Sequence, residues 1–312
     1  VYTRDTKDML MNVSYPDILG TAAPKSNAAD LRTKGWELSA TWHDKVGTNW
    51  NYGLTLALSD NTSKITRYLN PTGAIDQYYV GKDIGEIWAY ETVGIFQTEA
   101  DVAASANQDQ LGAAWKAGDM QYADLNKDDK ITPGVRTLDD HGDLRIVGNT
   151  TPRYSFGING DISYKGIGLN VFFQGVMKRD YLPDNGNWNA FYPYNDGHLE
   201  KYAISESWTE TNRDAYFAAP TFGYNTKKNI HPQSRYVQNA SYIRLKNLSV
   251  SYQFPVKLIQ KVRLNGAQIY FAGMNLWEAT KMHKPLDPES VFTVTQEYYL
   301  QRIFTLGVKL NF

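Results

Sequence analysis

Apolar side chains occupy every second position in several ten-residue stretches of this chain, and one such stretch ends it. In residues 303–312, Thr305, Gly307, Lys309 and Asn311 alternate with an apolar set. That set is Phe304, Leu306, Val308, Leu310 and Phe312. A period of two predicts a β-strand with one apolar face and one small or polar face.

The same alternation recurs in earlier segments, at residues 36–43, 50–59, 154–163, 167–174 and 248–254. The opposing positions hold mainly Gly, Ser, Thr, Asn and Gln, with few charges. Small uncharged polar side chains suit the wet interior of a membrane β-barrel. A soluble β-sandwich also alternates, so the alternation by itself leaves both architectures open.

Composition narrows the function classes. The net charge is -1, which gives no electrostatic reason to expect nucleic-acid binding. No apolar run is long enough for a transmembrane helix, whereas barrel strands need only alternate apolar residues. The chain has no Cys, which excludes disulfides, thiolate nucleophiles and Cys-based zinc sites.

The connections between these segments alternate between short and long. Residues 43–48 and Lys165–Gly166 are short, whereas the long polar connections are residues 14–30, 63–152, 179–240 and 281–300. Short turns on one edge and long loops on the other are typical of outer-membrane barrels. We therefore predict an all-β, antiparallel transmembrane barrel wall with long extracellular loops. Its eight strands are predicted at 1–13, 31–43, 50–62, 153–164, 167–178, 241–255, 266–280 and 301–312.

Residues 85–97, GEIWAYETVGIFQ, also have strand character. A further spanning strand at this position would put the later loops on the wrong side of the membrane. We therefore predict that this segment is a non-spanning strand within the external loop 63–152.

Several segments together resemble a known family. They include LRTKGWELSATWHD, GEIWAYETVGIFQ, AGDMQYADLNKDDKIT, ASYIRLKNLSVSYQFP, QIYFAGMNLW and the terminal Phe312. In their residues and their order along the chain, these segments resemble the C-terminal part of the SusC/RagA-type TonB-dependent outer-membrane transporters of Bacteroidota. The resemblance covers most of the chain.

The resemblance implies a location in the bacterial outer membrane and a barrel of about 22 strands. Residues 1–312 would form one C-terminal segment of that barrel domain, with large external loops at 63–152 and 179–240. The chain begins at Val1 without Met or a signal peptide, and no N-terminal plug domain is recognisable in it. We therefore expect a fragment of a longer transporter, or a mature product.

The resemblance also implies a function, namely TonB-dependent import of a glycan or oligopeptide. The implied partners are a SusD-like surface lipoprotein, TonB acting through the missing plug, outer-membrane lipid and the outer-membrane assembly machinery. Two alternatives remain at this point. One is a soluble all-β carbohydrate-binding or hydrolytic protein, and the other is a passive outer-membrane porin or adhesin.

The stretch DLNKDDKIT begins like a calcium-binding loop, because its acidic and amide side chains fall at alternate positions. The candidate ligands are Asp124, Asn126, Asp128, Lys130, Thr132 and Asp139. Asp129 replaces the usual turn glycine, and Val135 stands where a bidentate Glu is expected. The alternative is a polar turn without an ion. If calcium binds, we expect it to stiffen an external loop.

The loop 179–240 is rich in aromatic residues, which stack on sugar rings, grip peptides or bury against a partner protein. The candidates for cargo or partner contact are Trp188, Phe191, Tyr192, Tyr194, Trp208 and Phe222. The alternative is that the loop packs on its own aromatics.

No catalytic constellation stands out, and we expect no enzyme. The five His residues are scattered without metal-ligand spacing, and no carboxylate pair suggests a glycosidase. The apolar set of residues 304–312 has a different expected role. The family resemblance implies that Phe304, Leu306, Val308, Leu310 and Phe312 form the C-terminal signal read by the assembly machinery.

Overall fold

The computed structural model describes residues 1–12, 25–183, 191–192, 201–220, 228–283, 286–292 and 300–312. Strands dominate these residues, and the few helices are short. None of the described helices has both the length and the apolar content needed to cross a membrane.

The described strands are β1 (Tyr2–Asn12), β2 (Lys25–Val46), β3 (Trp50–Tyr68), β4 (Glu86–Tyr90), β5 (Thr92–Ile95), β6 (Met120–Tyr122), β7 (Leu144–Asn149), β8 (Arg153–Tyr164), β9 (Ile167–Lys178), β10 (Asp180–Tyr181), β11 (Gln238–Asn239), β12 (Tyr242–Gln253), β13 (Gly266–Thr280) and β14 (Ile303–Asn311). The described α-helices are α1 (Glu99–Ala104), α2 (Tyr202–Glu206) and α3 (Val256–Ile259). Short 3₁₀ turns occupy Ser234–Tyr236, Gln260–Val262 and Ser290–Phe292.

Eight strands form one antiparallel sheet in the order β1-β2-β3-β8-β9-β12-β13-β14. Each of the eight predicted spans contains or overlaps one of these strands, so the predicted fold class is confirmed. The segment 85–97 forms β4 and β5, which pair with β7 and β6 outside this sheet. The prediction that it does not span is therefore also confirmed.

The strands β2 and β3 are longer than predicted, at 22 and 19 residues. Their extensions pair with each other, since Ala29 lies opposite Tyr68 in the ladder and Arg67 donates to Asp30 at 2.8 Å. These extensions lack apolar alternation, so a hydrophobic-period argument ends each strand too early.

Cross-strand register places the apolar positions on one face. One continuous row of paired residues is Trp42, Leu54, Gly160, Val171, Leu248, Gly273 and Phe304. In the described chain no second sheet covers this face, and Leu38 and Leu306 are 62% and 75% exposed. The soluble sandwich alternative needs these side chains packed between two layers, and the structure does not show that packing.

The opposite face carries mainly small or polar side chains. The adjacent row reads His43, Gly53, Asp161, Asn170, Ser249, Ala272 and Thr305. Aromatic rings on this face lie along the wall over glycines of the neighbouring strand. A Cβ on Gly307 would come within 2.4 Å of the Tyr270 ring, and one on Gly35 within 2.6 Å of the Tyr2 ring. Glycine at these positions lets the rings lie flat.

Aromatic side chains gather where the short turns join the strands. Trp50 stacks on Tyr164 with ring centroids 4.2 Å apart, and the Lys165 ammonium lies 5.2 Å from the Tyr164 ring centroid. Tyr252 packs edge-on against Phe254 nearby. Amphipathic rings at one end of an apolar face are typical of a membrane–water interface.

The long connections form what we call the loop layer, defined as described residues 69–152, 179–183, 191–192, 201–220, 228–241, 281–283 and 286–292. These residues contain most of the buried apolar core of the chain. Its members include Ile75, Tyr90, Met120, Tyr122, Leu144, Phe191, Phe217, Tyr236, Met282 and Val291. Residues from three different long loops contribute to this one core. The loop layer is therefore a packed unit and not a set of separate loops.

Candidate functional site: the loop layer

A buried ion pair joins two distant parts of the loop layer. The Lys228 ammonium lies 2.6 Å from an Asp119 carboxylate oxygen, and both side chains are almost fully buried. Asn229 donates to the other Asp119 oxygen at 2.9 Å and accepts from the Met120 backbone amide at 2.9 Å. Lys228 also donates to the Ala114 carbonyl. Since every charged atom has a partner, this network fixes residues 114–120 against residues 228–229.

Neutral polar groups continue the network. The Tyr122 hydroxyl donates to the Lys228 carbonyl at 2.8 Å, and burial raises the pKa of Tyr122 well above its usual value. The His231 Nε2 lies 2.7 Å from the Leu111 carbonyl oxygen, so that nitrogen carries the proton. Burial lowers the pKa of His231 from its usual value. The arrangement favours neutral side chains and a rigid support.

The acidic loop adopts tight Asx turns. Asp124 accepts backbone hydrogen bonds from Lys127 at 2.6 Å and from Asp129 at 2.8 Å. Asp128 accepts from the Lys130 amide at 2.9 Å. Positive φ angles at Lys127 and Asp129, 64° and 61°, complete the turn. Asp129 therefore takes the left-handed conformation that glycine takes in the calcium-loop motif.

The candidate ligands Asp124, Asn126 and Asp128 lie within this turn, and Lys130 and Thr132 follow directly. The loop closes on Asp143, which is buried and accepts from the Leu125 and Thr132 amides at 2.7 and 2.8 Å. Asp139 lies on an exposed turn seven residues after Thr132. Among the described residues, no three His, Asp or Glu side chains converge in a metal-binding arrangement.

The aromatic candidates of the loop 179–240 divide into two groups. Phe191, Tyr192 and Trp208 are buried in the core of the loop layer. Phe191 contacts Phe217 and Tyr236 edge-on, with ring centroids 5.4 and 5.8 Å apart. Trp188, Tyr194 and Phe222 lie outside the described residues. The described aromatics thus hold the layer together, and their predicted contact with cargo or partner stays a prediction.

Arg244 anchors the last long loop to the polar face of the sheet. Its guanidinium, on β12 and 1% exposed, lies 2.5 Å from both Asp287 and Glu289 and also contacts Glu278 on β13. Lys246 adds a second cation 2.9 Å from Glu289.

A cation–π contact fixes the same loop at its other end. The Arg179 guanidinium lies 3.2 Å from the Phe292 ring centroid, beside Tyr181. Segment 286–292 is therefore held by the wall at Asp287 and Glu289, and by residues 179–181 of the loop layer at Phe292.

Neither charged network was predicted from the sequence. Arg244 and Lys228 lie in polar stretches, and their carboxylate partners are 34 to 109 residues away. No local spacing rule joins residues so far apart. The signal in the sequence is that β12 carries two cations, Arg244 and Lys246, ahead of the alternating residues 248–254.

The apolar C-terminal set lies on the exposed apolar face of β14. Phe304, Leu306, Val308 and Phe312 are more than half exposed, and Phe304 packs near Phe271 with ring centroids 6.4 Å apart. Their placement fits contact with lipid, and their recognition by assembly machinery stays a prediction.

Curated proteins similar to this chain align with it over its whole length. No family model matches. The TonB-dependent receptor P26 of Formosa agariphila is 26% identical over 338 aligned positions, which cover 100% of this chain and 32% of the receptor. The chain is similar over its full length to TonB-dependent receptors. The receptor P3 of the same organism is 25% identical with the same two coverages. The chain thus spans about a third of the length of these relatives.

Solved structures agree on the fold. The RagAB peptide transporter superposes with a TM-score of 0.73 at 20% identity, over 99% of this chain and 32% of the transporter chain. The open-open state of the RagAB peptide importer gives a TM-score of 0.71 at 23% identity. The resemblance to the SusC/RagA type, the partial-barrel fold and the outer-membrane location predicted from the sequence are confirmed by these relatives.

Proposed function

We propose that this chain forms about a third of the wall of a TonB-dependent importer, together with the loop layer above it. One observation supports this most directly. A single antiparallel sheet exposes an unbroken apolar face and presents a small, polar opposite face, over the same residues that match TonB-dependent receptors. A wall with lipid on one side and a wet lumen on the other needs that combination.

The proposed partners follow from the relatives. RagAB is described as a peptide transporter, and by analogy we propose a SusD-like surface lipoprotein over the loop layer and TonB below the lumen. The cargo is an oligopeptide or a glycan. The matched relatives are receptors and transporters, which supports a role without catalysis.

The test is import by the full-length transporter that contains this chain. A strain lacking the native gene is complemented, and uptake of labelled oligopeptides and oligosaccharides is measured with TonB present or deleted. Uptake that needs both the transporter and TonB supports the proposal. Uptake that continues without TonB would indicate a passive porin, and absence of any uptake defect in the deletion strain would indicate an adhesin.

Calcium binding at the acidic loop is a separate proposal. The turn around Asp124 and Asp128 already orients carboxylates at alternate positions, which is how calcium loops present oxygen ligands. The test compares proteolysis of the loop layer with calcium and with chelator, in the parent and in the Asp124→Ala, Asp128→Ala double variant. Calcium should protect the parent alone, and equal cleavage in all four samples would refute the site.

A further inference from the structure

The wall divides where β3 leaves β8. Pairing between these strands ends at Ser59 and Ser155. Beyond that point β3 bonds instead to the loop layer, since the Ile84 amide donates to the Ser63 carbonyl and the Ile65 amide to the Lys82 carbonyl, both at 2.9 Å. A wedge of loop residues 82–85 therefore fills the fork between the two strands.

A cavity of about 270 Å³ lies in this fork. Its lining comes from β3, the wedge, the segment before β8 and the end of β9: Asn61, Thr62, Ser63, Lys64, Asp83, Ile84, Asn149, Thr151, Arg153 and Lys178. The wedge is fixed in place, because the Thr151 hydroxyl and the Asn149 amide both donate to the Ile84 carbonyl, at 2.7 and 3.0 Å. The cavity walls are thus preorganised.

The charges of the lining are unbalanced. Arg153 is committed to Asp60, which it holds through two hydrogen bonds of 2.5 and 2.6 Å. Lys64 lies 3.4 Å from Asp83. Within the described residues, Lys178 has no ion-pair or hydrogen-bond partner. Among the described residues, the exposed Lys178 is therefore the lining cation without a counter-ion, whereas Lys64 and Arg153 are paired and most of the remaining lining is amide or hydroxyl.

We propose that this cavity is a subsite for a carboxylate group of the cargo, with the Lys178 ammonium as its charged contact. Asn61 lies on the polar face of β3, and its amide, which has no hydrogen-bond partner among the described residues, is suited to donate an accompanying hydrogen bond. Carboxylates occur on acidic peptides and on uronate sugars, so the proposal names the shared chemistry. It rests on the proposed import function, since cargo must pass the loop layer to reach the fork.

The experiment measures binding to the full-length transporter in nanodiscs by calorimetry. One acidic probe is a capped Glu-containing peptide and its neutral match has Gln at those positions. The other acidic probe is an oligogalacturonate and its neutral match is the methyl ester. Lys178→Gln is compared with Lys178→Arg, which keeps the charge. Lys45→Gln makes the same charge change at the short-turn end of the sheet.

The expected result is that at least one acidic probe binds the parent more tightly than its neutral match. Lys178→Gln should weaken that binding at least tenfold, whereas Lys178→Arg and Lys45→Gln should bind within threefold of the parent. The acidic probe that responds identifies the source of the carboxylate. Equal binding of that probe to the parent and Lys178→Gln, or failure of both acidic probes to bind, would overturn the subsite. Because calorimetry needs no TonB, loss of import with retained Lys178-dependent binding would count against the import function alone.

Discussion

At the scale of single residues, the loop layer depends on charges that are buried and paired. The Asp119–Lys228 pair is nearly inaccessible to solvent, whereas the Asp76–Arg136 pair, with a 2.6 Å contact, is about half exposed. Burial decides the consequence of breaking each pair. An unpaired charge costs little at a surface, because water solvates it, and several kcal/mol in the interior.

Replacing Asp119 with Ala should therefore destabilise the loop layer by about 3–5 kcal/mol, because Lys228 is left buried without its counter-ion. The matched control is Asp76→Ala, which breaks an exposed pair and should cost at most about 1 kcal/mol. Denaturant titration of the full-length protein, followed by Trp fluorescence, measures both. Similar losses in the two variants would show that burial does not set the cost.

His231 gives the loop layer a pH dependence whose sign follows from burial. Its pKa in the folded state lies below the usual value of 6.5, so the unfolded chain binds a proton more readily. The contribution of neutral His231 to stability is therefore fully present above about pH 6.5, the pKa in the unfolded chain. It is lost as the pH falls from there towards the lower pKa of the folded state. The His231→Gln variant should show a smaller loss between pH 7.5 and pH 5 in melting temperature. A pH profile parallel to that of the parent would assign the effect to other groups.

At the scale of strands and loops, alternate residues of β14 face two different environments, one apolar and one polar. Leu306 lies on the exposed apolar face near the middle of the strand, and Thr305 lies on the polar face beside Ala272. Leu306→Arg should cost roughly 2–4 kcal/mol, since a charge near the bilayer midplane loses its hydration. Thr305→Arg places the same charge on the lumen side. Heat-modifiable migration of the full-length protein should fall in the first variant and change less in the second.

The ion pairs of Arg244 are expected to hold the last external loop in place. Arg244→Ala should release segment 286–292, because Asp287, Glu289 and Glu278 then share no buried cation. Limited proteolysis should cut within 286–292 faster, and a spin label at Ser290 should gain mobility. Lys246→Ala is the control, since that more exposed side chain contacts Glu289 alone among these acids. Unchanged cleavage in Arg244→Ala would contradict the anchoring role.

Strands were predicted well from the sequence where apolar residues alternate. Strand ends and buried loop residues were predicted poorly, because tertiary contacts determine them. Six of the eight wall strands follow from clear alternation, including β9 with its two-residue turn at Lys165–Gly166, whereas the pattern is weaker in β1 and β13. The extensions of β2 and β3 do not follow from the sequence pattern, because they lack apolar alternation and tertiary contacts decide their pairing; Ala29 and Ile65 in these extensions are buried. The loop layer was predicted as long loops, yet Phe191, Tyr192 and Trp208 pack into a shared core. Loop composition indicates aromatic burial or contact, but only the fold shows which residues are buried.

At the scale of the whole molecule, the sheet is open. Among the described strands, β1 pairs only with β2, β14 pairs only with β13, and no pairing joins the two edges. Each edge thus presents a row of backbone amide and carbonyl groups without partners in the described sheet. In hydrocarbon each such group costs several kcal/mol, which is why membrane-spanning sheets close into barrels.

Residues 1–312 expressed alone should therefore fail to form a heat-modifiable barrel in the outer membrane, whereas the same residues within the full-length transporter should form one. Eight strands can close in principle, but the described edge strands β1 and β14 do not pair with each other, and the rings of Tyr2 and Tyr270 lie over glycines of the polar face. Co-expression with the remaining barrel strands should rescue folding, because those strands supply partners for β1 and β14. A stable, heat-modifiable species from residues 1–312 alone would show that the two edges can pair with each other, and that the wall is a complete barrel rather than a third of one.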